Sequence, residues 1–160
     1  VSLISMLSEI FRIDISKLLD GELPKIKPEA GNMENTKFYV CENCGNIVEY
    51  MKESGVPVMC CGMRMTALVP GASDGAQEKH VPVVTVSGNK VLVEIGEVEH
   101  PMVEEHYIQW IAIETAKGSQ RVKLSPADKA SAEFYLADGD ELVAAYEYCN
   151  IHGLWKKDVK

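Results

Sequence analysis

From residue 81 onward the chain consists of short runs rich in β-branched and aromatic residues, separated by turn residues. The run at 81–86 is followed by a turn and a return run at 91–95, which predicts a β-hairpin. Further runs follow without a helical pattern between them, at 107–114, 121–124, 132–136 and 141–146. Because regularly spaced short strands with intervening turns are typical of two packed antiparallel sheets, the sequence predicts an immunoglobulin-like antiparallel β-sandwich.

A shorter segment, 37–71, precedes the sandwich. Its β-type runs hold too little apolar mass for an independent core, and so small a lobe usually needs a metal or a partner to fold. It carries four cysteines at its turns: Cys41, Cys44, Cys60 and Cys61. Four thiolates suffice for a closed tetrahedral site of iron or zinc, so we expect a metal-binding lobe here.

All four histidines and the fifth cysteine fall into three short C-terminal clusters. The candidate ligands in these clusters are His80, His100, His106, Cys149 and His152. Four neutral imidazoles and one thiolate leave one position of an octahedral metal open, where a small substrate can bind. Imidazole combined with thiolate suits iron, copper or zinc rather than magnesium or calcium. The clusters therefore predict a redox enzyme.

Composition excludes several other classes of protein. The formal net charge is −8 and the basic residues are scattered, which excludes a nucleic-acid surface. No apolar run approaches the ~20 residues that span a bilayer, so no membrane role is expected. Five cysteines cannot pair completely and no secretory signal pattern is present, so a reducing cytoplasm is the expected location. The negative charge would repel an anionic substrate, which then requires a local cation near the metal.

Residues 1–36 have the pattern of a helical arm followed by a linker. Apolar residues at helical spacing and a closing Asp20-Gly21 predict two short helices within 2–20. Two prolines, a glycine and little periodicity predict a linker at 22–36. The helical stretch resembles the end of an Xre-type helix-turn-helix domain. The alternative is a simple helical arm that packs on a partner or is mobile.

The cysteine pattern of the lobe resembles that of desulforedoxin. A Cys-x-x-Cys at 41–44 is followed by an adjacent pair at 60–61, whereas a zinc ribbon normally presents two Cys-x-x-Cys knuckles. Desulforedoxin binds one iron through four thiolates in a small β lobe. The resemblance therefore favours iron over zinc at these four cysteines.

The C-terminal clusters resemble those of the superoxide reductase family. They read Glu-Lys-His-Val-Pro, His-Pro-Met-x-x-x-His-Tyr-Ile-Gln-Trp and Tyr-Cys-Asn-Ile-His-Gly-x-Trp. Together with the lobe, residues 37–160 resemble a two-iron superoxide reductase, also called desulfoferrodoxin. The resemblance implies two mononuclear iron ions per chain and no haem. It divides the chain into an arm and linker (1–36), an iron lobe (37–71) and a superoxide reductase domain (72–160).

This resemblance also implies a role for each residue. The four histidines would be equatorial ligands of the catalytic iron and Cys149 the axial ligand, with superoxide binding on the opposite side. Superoxide would take up one electron and two protons and leave as hydrogen peroxide. Lys79 resembles the lysine that attracts the anion, and Glu78 resembles the carboxylate that occupies the sixth position in the ferric resting state. A rubredoxin-like donor would return the electron, and we expect a homodimer.

Two other functions fit the same residues. The chain could be an iron-based redox-sensing regulator that reports oxidants to an N-terminal DNA-binding domain, or a zinc-stabilised interaction module without turnover. Zinc is d¹⁰ and gives no visible charge-transfer bands, whereas ferric thiolate sites absorb visible light, so a spectrum separates the last of these from an iron protein.

Overall fold

The structure is a computed structural model that describes residues 38–159. The predicted arm and linker, including the Xre-like stretch, lie outside the described residues. The lobe contains β1 (Phe38–Val40), β2 (Ile47–Glu49), β3 (Met59–Cys60), β4 (Met63–Arg64) and β5 (Thr66–Ala67). A short helix follows, α1 (Gln77–His80). The sandwich contains β6 (Pro82–Ser87), β7 (Lys90–Ile95), β8 (Ile108–Thr115), β9 (Ser119–Lys123), β10 (Ser131–Tyr135), β11 (Leu142–Cys149) and β12 (Gly153–Asp158).

Two antiparallel sheets form the sandwich, with strand orders β10-β7-β6 and β12-β11-β8-β9. The predicted antiparallel β-sandwich is confirmed. Alternate residues of β7 point inward, so Val91, Val93 and Ile95 are buried against Ile111 and Ile113 of β8. The central strands β8 and β11 are buried over most of their length, as expected for strands packed between neighbours.

The sequence pattern missed two elements next to the histidine clusters. Strand β12 pairs with β11 at the edge of its sheet, and its outer half reads Lys156-Lys157-Asp158, which hides the apolar alternation. Charged residues are common on edge strands because they discourage pairing with other chains. Helix α1 has four residues, too few for a helical period to show. Within residues 38–159 no helix has the length and apolar character needed to cross a bilayer.

The lobe is built from the sheet β2-β1-β5 and the hairpin β3-β4. Phe38 of β1 is buried against the sandwich, with its ring centroid 5.1 Å from that of Trp110 and 5.5 Å from that of Tyr146. Leu68 packs on the same cluster. The lobe therefore shares a hydrophobic core with the outer face of the β8-β11 sheet, which compensates for its small apolar content.

Candidate metal centres

The five predicted ligands of the C-terminal clusters converge at one end of the sandwich. His80 ends α1, His100 and His106 lie in the connection between β7 and β8, Cys149 ends β11, and His152 lies in the turn before β12. One donor atom from each residue lies within 4.8 Å of the donor atoms of the other four. Nitrogen ligands about 2.1 Å from a metal ion are at most about 4.2 Å apart, so this cluster is close to the size of a single-ion site.

The four imidazole rings are arranged as a square. The ring centroid of His100 lies 4.6 Å from that of His80 and 4.6 Å from that of His106. The ring centroid of His152 lies 4.9 Å from that of His106 and 4.7 Å from that of His80. The diagonal from His80 to His106 is 6.4 Å. These proportions suit four nitrogen ligands in the equatorial plane of one ion, with Cys149 as the fifth donor.

Hydrogen bonds to the rings show which nitrogens are free. His100 Nδ1 lies 2.7 Å from the carbonyl oxygen of Pro101, and because a carbonyl only accepts, the ring carries its proton on Nδ1. Its Nε2 is then a bare lone pair. The Nε2 atoms of His100 and His106 are both buried without a hydrogen-bond partner among the described residues. Buried polar atoms rarely lack a partner, so these lone pairs fit a bound metal ion.

Burial keeps the rings in the form that binds metal. It is the largest cause that lowers the pKa of His80 and of His100 to about 4, and the positive charges of neighbouring rings act in the same direction. Burial also lowers the pKa of His106. Near pH 7 these imidazoles are therefore neutral, as metal ligation requires.

Glu147 is a residue of the centre that the sequence interpretation missed. It is fully buried on β11, and its Oε1 lies 3.1 Å from Nδ1 of His80. Burial raises the pKa of this carboxyl to about 9, and its Oε2 has no partner among the described residues. Such a hydrogen bond to the second ring nitrogen orients a ligating histidine. A glutamate inside the apolar run of β11 was the available signal, because charged residues are almost never fully buried unless paired.

The other side of His80 is covered by Trp155 and Gly75. The indole of Trp155 stacks on the imidazole, with centroids 5.0 Å apart and an interplanar angle of 12°. A Cβ atom at Gly75 would lie 3.0 Å from Trp155 Cζ2 and 3.1 Å from His80 Nε2. Glycine therefore allows the segment before α1 to pass directly over this pair of rings.

Cys149 is fully buried and its thiol is held by backbone donors. Burial raises the pKa of Cys149, and hydrogen bonds from the backbone N–H groups of His152 and Ile151 oppose that rise. The Sγ atom lies 3.6 Å from Nδ1 of His152, so Nδ1 is the nitrogen of this ring that faces the thiol. Two N–H donors aimed at the sulfur suit a thiolate that carries charge when a metal is bound.

Lys79 and Glu78 are exposed on α1, next to His80. The positive charge of Lys79 contributes to the lowered pKa of His80, His100 and His106, which places its ammonium within electrostatic range of the rings. Glu78 is not among the five clustered donors. It lines a neighbouring groove of about 550 Å³, and its backbone carbonyl accepts a hydrogen bond from the Val98 N–H at 2.9 Å.

Helix α1 is held against the start of the β7–β8 connection at Gly96. This glycine has a φ of +78°, and an added Cβ would lie 2.6 Å from the Val98 carbonyl oxygen and 2.7 Å from that of Glu78. Both contacts are with backbone atoms, which cannot rotate away. Only glycine therefore allows the connection that carries His100 to approach the helix that carries His80.

The four lobe cysteines form a second group, with all Sγ atoms within 4.8 Å of one another. Cys44 Sγ lies 3.6 Å from Cys60 Sγ, which lies 4.0 Å from Cys61 Sγ. Thiolates bound at about 2.3 Å to a tetrahedral ion are about 3.8 Å apart, so the spacing fits one ion. Cys61 has a φ of +51°, a left-handed conformation that turns two consecutive thiols toward one point. The backbone N–H of Cys44 is the largest cause that lowers the pKa of Cys41 to about 7.

Comparison with known proteins agrees with this arrangement. Residues 72–158 match the family described as Desulfoferrodoxin. A desulfoferrodoxin of Nitratidesulfovibrio vulgaris is 44% identical over 122 residues, which cover 76% of this chain and 95% of that protein. A superoxide reductase of Pyrococcus horikoshii is 34% identical over 106 residues, covering 56% of this chain and 92% of that protein. The crystal structure of the superoxide reductase from Treponema pallidum superposes with a TM-score of 0.66 and 35% identity, over 78% of this chain and 98% of that one. This chain belongs to the desulfoferrodoxin family.

Proposed function

We propose that this chain is a superoxide reductase, which converts superoxide, one electron and two protons into hydrogen peroxide. The observation that carries the proposal is the convergence of four imidazoles and one thiolate, with donor atoms within 4.8 Å of one another. Relatives from Pyrococcus horikoshii and Treponema pallidum that bear the name superoxide reductase support it. The membership of the desulfoferrodoxin family supports it further.

In this proposal the catalytic iron would be held by four imidazoles and one thiolate, those of His80, His100, His106, His152 and Cys149. The square of rings and the bare Nε2 atoms support this ligand set. Iron held there would supply the electron for the reaction, and five protein ligands would leave room for a small ligand such as superoxide. Glu147 orients His80 through the hydrogen bond to Nδ1.

The exposed residues of α1 act on the substrate. Lys79 attracts the superoxide anion, since a chain with a formal charge of −8 repels anions overall. Its exposed position next to His80, and its electrostatic effect on the pKa of three of the rings, support this role. Glu78, exposed on α1 next to the ligand His80, is the candidate carboxylate that would bind the iron as a sixth ligand in the ferric resting state.

A second mononuclear iron, bound by Cys41, Cys44, Cys60 and Cys61, completes the proposed content of two irons per chain. The spacing of the four sulfur atoms supports one tetrahedral ion. Because four protein ligands close this site, it offers superoxide no open position. Its role is therefore structural or auxiliary.

The proposed partners are a rubredoxin-like electron donor and a second copy of the chain. Strand β6 lies at the edge of its sheet with Val83 and Val86 exposed, which supports self-association. All five cysteines are free, which supports a reducing cytoplasm as the location. Light scattering would test the dimer directly.

The stoichiometry of the products tests the proposed reaction. The chain is loaded anaerobically with ferrous iron and mixed with a known amount of superoxide. Reduction yields one peroxide for each superoxide and no dioxygen, whereas dismutation yields one peroxide for every two and releases dioxygen. A one-to-one yield, limited by the amount of ferrous protein, is expected.

Cys149→Ser is the matched variant for this experiment. Four imidazoles remain, so iron is expected to bind with lower affinity, but the thiolate-to-iron absorption band and most of the turnover are expected to disappear. Release of dioxygen by the parent chain, or parental rates from Cys149→Ser, would refute the proposed function.

A further inference from the structure

Asn150 lies between the ligands Cys149 and His152 in the sequence. It forms hydrogen bonds with the residues that precede and follow a third ligand, His106. Its Oδ1 accepts a hydrogen bond from the backbone N–H of Tyr107 at 2.9 Å. Its Nδ2 donates to the backbone carbonyl oxygen of Glu105, also at 2.9 Å. The backbone N–H of Asn150 adds a third bond, to the Tyr107 carbonyl oxygen at 3.2 Å. One carboxamide thus holds the peptide groups immediately before and after His106.

We propose that Asn150 is a positioning residue that fixes His106 relative to Cys149 and so completes the square of imidazoles. The connection that carries His106 joins the two sheets and has little regular structure, so its location needs contacts from outside. Backbone bonds between His106 and Val103, at 3.0 Å and 3.1 Å, lie within the connection and do not anchor it to β11. The hydrogen bonds from Asn150 anchor the connection to the end of β11.

The two buried histidines are oriented through hydrogen bonds to their rings. His80 has Glu147 at Nδ1 and His100 has the Pro101 carbonyl at Nδ1. Within residues 38–159 no side chain or carbonyl bonds to Nδ1 of His106. Its orientation therefore depends on where the backbone places it, and that placement depends on Asn150.

The chemistry of this position requires an amide. One end must accept from an N–H and the other must donate to a carbonyl, and among the side chains of this length only asparagine offers both. Aspartate keeps the acceptor and loses the donor, and alanine loses both. Asn150 Oδ1 also lies 3.9 Å from Cys149 Sγ, so an effect through the thiol has to be separated from an effect through His106.

This inference rests on the proposed five-ligand iron centre. Changes in the residues that support metal ligands typically cost about 10- to 100-fold in metal affinity. We therefore expect Asn150→Ala to raise the dissociation constant for ferrous iron at the C-terminal centre by about 10- to 100-fold. Competition with a ferrous chelator under anaerobic conditions measures this constant. Asn89→Ala is the control, because the hydrogen bond of Asn89, to Leu136, uses its backbone carbonyl.

A double-mutant cycle with His106→Ala identifies the route of the effect. If Asn150 acts through His106, replacing Asn150 in the His106→Ala background changes iron affinity less than threefold, because the ligand that it places is already gone. An undiminished effect in that background would overturn the inference, since it would mean that Asn150 acts through Cys149 or through the fold.

Hydrogen exchange in the metal-free chain gives a readout that needs no iron. The Tyr107 amide is expected to exchange at least tenfold faster in Asn150→Ala, and to remain protected in Asn150→Asp, which keeps the acceptor. If Asn150→Ala does not fold, the cycle is carried out with Asn150→Asp. If the parent chain binds iron and Asn150→Ala leaves both the exchange rate and the iron affinity unchanged, this inference alone is refuted. A parent chain that binds no iron would refute the proposed function as well.

Discussion

Replacing Glu147 by alanine is expected to weaken the catalytic centre without touching a ligand. The carboxyl is fully buried, and its Oε1 accepts a hydrogen bond from the Nδ1–H of His80 at 3.1 Å. In Glu147→Ala this ring nitrogen keeps its N–H but loses its partner in a site that water does not reach. The imidazole is then free to turn away from the square.

The size of the effect follows from the lost hydrogen bond. A buried polar group left without a partner costs about 1–3 kcal/mol. Since about 1.4 kcal/mol is tenfold in an equilibrium constant, iron affinity is expected to fall by about 5- to 150-fold. Glu147→Gln keeps an oxygen that accepts from Nδ1 and is expected to lose less than tenfold.

The assay is competition between each variant and a ferrous chelator, with Glu133→Ala as the matched control. Glu133 is half-exposed and pairs with Lys90 at 2.6 Å on the surface, so its loss is expected to leave iron affinity within about twofold. If Glu147→Ala bound iron as tightly as the control, the orienting role of Glu147 would be wrong.

The same carboxyl gives the metal-free chain a specific pH dependence. Burial raises the pKa of Glu147 from 4.5 to about 9, so between these values the folded chain binds one proton more than the unfolded chain. Its contribution to stability is fully present below the unfolded value and is lost as pH rises toward 9. At pH 5 Glu147→Gln is expected to match the parent, and by pH 9 it is expected to be the more stable of the two. Denaturant titrations of both metal-free chains at several pH values measure the difference, and parallel curves would contradict the burial effect.

Three further predictions concern the substrate, the four-cysteine site of the lobe and the core of the lobe. Lys79→Ala is expected to slow superoxide capture by about 2- to 30-fold, since an ammonium on the order of 8 Å from the anion contributes about 0.5–2 kcal/mol; stopped-flow rates at two ionic strengths test this, with Lys123→Ala as the control. Cys60→Ser is expected to remove one set of visible bands while the rate of superoxide reduction stays within a few fold, and a collapse of that rate would give the four-cysteine site a catalytic role. Phe38→Ala is expected to lower the free energy of unfolding by about 3–5 kcal/mol, because the buried ring that contacts Trp110 is lost. Denaturant titration measures this change, and an unchanged midpoint would show that the lobe does not depend on the contact.

The local sequence pattern identified the candidate ligands of the two centres but not how those ligands are arranged in space. Residue types and spacing were enough to identify the candidate ligands of both centres, because every histidine and cysteine of the chain falls into a short cluster. The square of imidazoles followed only from the family resemblance, because no local pattern records how α1, the β7–β8 connection and the β11–β12 turn meet. Glu147 and Asn150 were missed for a related reason. Their roles lie in contacts with residues that are distant in sequence, which no local pattern records.

The two centres also differ in what holds them in shape. The ligands of the lobe lie within 41–61, and short turns with a left-handed residue at Cys61 are enough to gather them. The C-terminal centre instead joins the two sheets: His80 leads into β6 of one sheet, whereas Cys149 ends β11 of the other. Its geometry therefore depends on how the sheets pack, so a substitution in the sandwich core that shifts one sheet against the other alters the catalytic centre. The lobe site does not span the two sheets, because all four of its ligands lie within 41–61.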